Sequence, residues 1–200
     1  MMKAKIAVLV SGGGTNLQAM IDAQEKGIIK AGEISLVLSG NPEAYALTRA
    51  ENAGIATAVI PSKSPDFEDK LIKKLEDEKI DLIVLAGFMK ILSEKFTSRF
   101  ADRIINVHPA LIPSFCGKGY YGLKVHEEAL KYGVKVTGAT VHFVNEIPDG
   151  GKIIAQKVVK VHANDTPETL QKRVMQQAEW IILPKACDLV SKQIVKEKKK

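Results

Sequence analysis

Short apolar runs alternate with amphipathic stretches through the first hundred residues. Residues 5–11 (KIAVLVS), 33–39 (EISLVLS), 56–60 (ATAVI), 81–86 (DLIVLA) and 103–107 (RIINV) are nearly continuous rather than alternating and rich in β-branched residues. That pattern predicts strands covered on both faces. Between them the clearest helix signal covers residues 65–78. Ser64 suits an N-cap, Pro65 suits the first helical position, and Phe67, Leu71 and Leu75 share one stripe. Strand and helix in alternation predict right-handed βαβ units in a parallel sheet, with ligands held at the carboxyl ends of the strands.

After Val107 the rhythm breaks. An irregular segment, HPALIPSFCGKGYYG, precedes a short helix at 124–132, then two longer β runs at 136–143 and 152–161 around NEIPDGG. Two such runs about a turn predict a hairpin at one sheet edge. Thr166 should cap a long final helix from Pro167, with Leu170, Val174, Ala178, Ile181 and Ile182 on its buried stripe and Pro184 kinking or dividing it. The expected class is α/β: a Rossmann-like, mostly parallel sheet with helices on both faces, an antiparallel hairpin at one edge and a long C-terminal helix.

At 200 residues and 46% hydrophobic content the chain fits one domain able to bury its own core. We read it as a single domain over 1–191 followed by a lysine-rich tail, 192–200. The tail explains most of the net charge of +6, because its nine residues hold five Lys and one Glu. With only four arginines in the chain and no basic face, nucleic-acid binding is not expected. No apolar run approaches the ~20 residues of a membrane span. The first apolar run ends in glycines rather than at a cleavage site, and Cys116 and Cys187 form no disulfide or metal pattern, so a cytoplasmic chain is expected.

Three places carry candidate chemistry. SGGGTN (11–16) joins the first strand to the first helix, where backbone N–H groups and a helix N-terminus receive an anion. Leu17 occupies the third glycine position of a dinucleotide fingerprint, and the second strand ends in Ser39-Gly40-Asn41 without a carboxylate. A monophosphate ester is therefore the expected guest. Asn106 and His108, two apart at the end of the fifth strand, share a face at the ligand edge. An amide N–H and an imidazole there suit a developing oxyanion and proton transfer. Asp149 lies in a Pro-Asp-Gly-Gly turn, and a carboxylate reaching His108 would orient the ring. His126 and His162 read as surface or helix-start residues, His142 as a structural strand histidine, and Cys116 as incidental. No histidine spacing calls for a metal.

SGGGTNLQ, DLIVLAGFMKIL, INVHPALIPSF and GATVHFVNEIPDGG occur in that order across most of the chain. Together they resemble the phosphoribosylglycinamide formyltransferase family. The resemblance implies transfer of a formyl group from 10-formyltetrahydrofolate, a co-substrate, to the glycyl amine of 5-phosphoribosylglycinamide in purine biosynthesis. It needs no metal and implies a monomer or homodimer. It makes Asn106, His108 and Asp149 the catalytic trio, with His108 and Asn106 on the oxyanion and Asp149 supporting His108. Gly14, Thr15 and Asn16 match the phosphate loop, and Gln176 and Glu179 match contacts to the sugar. Met89, Lys90, Ile91 and Leu92, with Asn106, match the folate side, Lys90 standing where an Arg is common. The alternatives are a formyltetrahydrofolate deformylase, expected to carry an extra N-terminal domain, a methionyl-tRNA formyltransferase, expected to carry a tRNA-binding one, and a non-catalytic sugar-phosphate-binding module.

Overall fold

The computed structural model describes residues 2–199. Seven strands form one sheet in the order β3-β2-β1-β4-β5-β6-β7. Strands β1 (Ala4–Val10), β2 (Gly32–Ser39), β3 (Ala56–Val59), β4 (Leu82–Leu85) and β5 (Ile104–His108) are mutually parallel. The expected hairpin follows: β6 (Val136–Phe143) pairs antiparallel with β5, and β7 (Ile153–Lys160) antiparallel with β6 at the edge.

Helices cover both faces because β1 is apolar on both. Ile6, Val8 and Val10 pack with Leu17 of α1 (Thr15–Glu25), Leu47 of α2 (Tyr45–Asn52), Leu170 and Val174 of α6 (Pro167–Val174) and Leu183 of α7 (Trp180–Glu197). Ala7 and Leu9 face the other way, onto Phe67, Leu71 and Leu75 of α3 (Phe67–Asp77) and Phe96 of α4 (Glu94–Arg99). The remaining helix, α5 (Leu123–Tyr132), precedes β6.

Two helix boundaries differ from expectation. α3 begins at Phe67 instead of Pro65, because Ser64, Pro65 and Asp66 form a turn closed by the Phe67 N–H on the Ser64 carbonyl at 3.1 Å. The C-terminal helix is interrupted at a π-turn, Met175–Glu179, where the Trp180 N–H reaches the Met175 carbonyl, and Pro184 lies inside α7. Pro184 has no N–H for the Trp180 carbonyl four residues back, and Trp180 flattens to ψ −14. The extra residue also shifts the buried stripe, so Ile182 and Leu183 are buried while Ile181, expected inside, is 37% exposed. The lysine-rich segment continues α7 to Glu197, with Ile194 buried. Cations at a helix C-terminus are favoured by its dipole.

The strand order reverses at β1, whose neighbours β2 and β4 are reached by opposite crossovers. A crevice opens there at the carboxyl ends, bounded by the glycine turn after β1 and by the segment 86–92 after β4.

Candidate functional site

β5 ends with His108, which is 4% exposed, and carries Asn106 two residues earlier on the same face. The antiparallel register sets His142 of β6 directly opposite Asn106 and Thr140 opposite His108. Thr140 accepts from the Ile112 N–H and donates to the Ala110 carbonyl, which pins the chain leaving His108. Asp149, in the β6–β7 connection at φ 57, puts Oδ2 3.5 Å from His108 Nδ1 and Oδ1 3.5 Å from His142 Nε2. The three predicted residues therefore converge, and His142, read as structural, joins them. The alternation of β6 could not reveal this, because it depends on which residue the strand register places opposite.

Hydrogen bonds assign the imidazole protons. His142 Nδ1 lies 2.7 Å from the Phe143 carbonyl, an acceptor, so Nδ1 carries the proton. Nε2 faces both the Asn106 amide, at 3.2 Å, and Asp149 Oδ1, at 3.5 Å, and so sets the orientation of that amide beside the carboxylate. His108 Nε2 donates to the Phe115 carbonyl at 2.8 Å, leaving Nδ1 to exchange a proton beside Asp149. Burial pushes the His108 imidazole down, offset in part by Asp149 and the Phe115 carbonyl. It is thus neutral at neutral pH. Burial would raise the Asp149 carboxyl, but the His142 bond, the nearby His108 and the Gly117 N–H at 2.8 Å together hold it below its ordinary value. Burial, and then Asp149, raise the Cys116 thiol, which argues against a nucleophile.

The glycine turn leads into α1, with Gly14 as N-cap at φ 72. A Cβ on Gly14 would stand 2.6 Å from the Ala46 Cβ, whereas on Gly12 or Gly13 it would meet nothing within 4 Å. The open surface of the turn therefore belongs to Gly12 and Gly13, and Gly14 is required by packing against α2. Asn16 Nδ2 donates to Glu179 Oε2 at 2.7 Å, while Asn16 Oδ1 is buried with no partner among the described residues. Burial raises the Glu179 carboxyl, which Asn16 only partly offsets.

A formyl transferase family model matches residues 4–187. The chain belongs to the formyl transferase family. It is 45% identical over 184 residues to phosphoribosylglycinamide formyltransferase of Haemophilus influenzae, covering 90% of this chain and 84% of that one. It is also 45% identical over 193 residues to trifunctional purine biosynthetic protein adenosine-3 of Gallus gallus, covering 94% of this chain but spanning 18% of the relative's length. Among solved structures, glycinamide ribonucleotide transformylase 1 from Symbiobacterium toebii superposes with a TM-score of 0.88 at 38% identity, covering 96% of this chain and 89% of that one.

Other positions in this formyl transferase chain divide by exposure. Thr15 and Gln176 are exposed, and Glu179 is turned inward by the π-turn. Met89 and Ile91 are 57% and 68% exposed, but Leu92 is buried in the core. Lys90 Nζ donates to the Ser62 carbonyl at 2.6 Å and lies 4.1 Å over the Phe67 ring. His126 corrects the surface reading: it is fully buried on α5, and neither ring nitrogen finds a partner among the described residues. Among those residues no helix is long and apolar enough to cross a membrane.

Proposed function

We propose that this chain transfers a formyl group from 10-formyltetrahydrofolate to the glycyl amine of 5-phosphoribosylglycinamide. The observation that carries this reading is the convergence of Asn106, His108 and Asp149 at the ligand edge, with an open glycine turn on the next strand but one. The turn and the start of α1 suit the acceptor's phosphate. Ribose hydroxyls suit the unpartnered Asn16 Oδ1 and the Glu179 carboxyl, since a buried acceptor without a donor costs about 1–3 kcal/mol. Met89 and Ile91 offer apolar area to the pterin, while Leu92 supports the segment from within.

The amine attacks the formyl carbon, and the carbonyl oxygen becomes an alkoxide. The free N–H of Asn106 and the protonated form of His108 stabilise that charge. A proton leaving the amine is held at His108 Nδ1 beside Asp149, or by a water between them, and goes on to the departing folate nitrogen as its bond to the formyl carbon breaks.

The test supplies 10-formyltetrahydrofolate with and without the ribonucleotide. Formylated product only with the amine is expected; formate released equally without it would make the chain a hydrolase and sink the proposal. Asp149→Asn and His108→Ala should each lower kcat by about 100-fold or more with little change in acceptor KM.

A further inference from the structure

The glycine turn is held from behind by α2. The Ala46 N–H donates to the Gly12 carbonyl at 3.1 Å, and Arg49 Nε donates to the Gly13 carbonyl at 2.8 Å. In a trans peptide the C=O and the following N–H point opposite ways. Anchoring these two carbonyls on α2 therefore turns the N–H groups of Gly13 and Gly14 away from it. No acceptor among the described residues takes either N–H.

Arg49 is itself fixed. Its Nη1 donates to Gln18 Oε1 at 3.0 Å, Gln18 Nε2 donates to Asp22 at 2.8 Å, and the guanidinium lies 4.9 Å from the Tyr45 ring centroid. One planar fork thus spans two helices and a carbonyl, which an ammonium cannot copy. A cavity of about 330 Å³, lined by Thr15, Gln18, Asp22, Arg49 and Trp180 among others, opens beside it. Water from this cavity could solvate the Gly13 carbonyl if the fork were removed and let that peptide rotate.

We propose that Arg49 is a positioning residue for anion binding: it touches the loop and not the anion, and presets the Gly14 N–H toward the substrate phosphate. This rests on the glycine turn being the phosphate site of the proposed function. The test combines turnover with a readout that needs none, the dissociation constant of inorganic phosphate measured by thermal stabilisation. Arg49→Met should weaken phosphate and raise the acceptor KM by about tenfold or more, the worth of one charge-assisted hydrogen bond, with folate KM and saturated kcat unchanged. Arg49→Lys should rescue little, and Gln18→Leu, which frees the fork without removing charge, should give a smaller shift in the same direction. Full rescue by Lys would make Arg49 a simple charge and overturn the proposal, as would phosphate affinity and KM unmoved in Arg49→Met. If phosphate affinity shifts while the wild type transfers no formyl group, this inference stands and the assigned reaction falls.

Discussion

His108 faces an acceptor at each ring nitrogen, the Phe115 carbonyl and the Asp149 carboxylate, yet burial keeps it neutral. A base that is free at neutral pH and whose charged form has a waiting partner suits proton relay. His126 has the burial without the partners. Burial, with His108 close by, brings its imidazole down to about 4 from an ordinary 6.5. The unfolded chain therefore binds a proton between those values that the folded chain refuses, so stability is complete above pH 6.5 and falls as pH drops toward 4. The contribution is on the order of 3 kcal/mol. Urea unfolding at pH 7 and 4.5 should show a smaller acid loss in His126→Leu than in the wild type; equal losses would mean the ring is protonated in the folded chain. Neither the burial of His126 nor the pairing of His142 was legible in the sequence, where both are single histidines in ordinary strand and helix patterns.

At the scale of elements, three successive glycines do two jobs. Gly14→Ala should destabilise the fold by about 1–3 kcal/mol, because its φ of 72 is left-handed and its Cβ would press on Ala46 of α2. Gly13→Ala meets open space, so thermal melting should be unchanged while the acceptor KM rises as the methyl enters the anion's place. The reverse outcome would move the open face of the turn to Gly14. The SGGGTN motif marks an anion turn, but which glycine serves packing depends on α2, whose closest residues are some thirty positions away in the chain. The π-turn has the same character: Pro184 announces a disturbance, while its location follows from two apolar stripes that must both reach the sheet.

Over the whole molecule, α7 closes one face of the sheet and ties its ends together. Asp188 accepts the Lys30 and Ala31 N–H groups at 2.7 and 2.8 Å, and Lys198 reaches Asp81 at 2.6 Å. Ending the chain after Ser191 removes the buried Ile194 and the lysine partners of the buried Asp81 and Asp188, and should lower the melting temperature by roughly 5–10 °C. An unchanged melt would make residues 192–200 a dispensable tail. Strands, helices, the parallel sheet, the hairpin and the placing of Asn106 and His108 at one strand end were written in the sequence, because periodicity, turn residues and strand ends are local properties of the chain, whereas Asp149 joined them there only through the family resemblance. Only the tertiary structure decided that His142 orients Asn106, that the backbone of Phe115 and Gly117 engages His108 and Asp149, and that α2 turns the glycine N–H groups outward. Those depend on register and on contacts between residues distant in the chain, which local pattern does not encode.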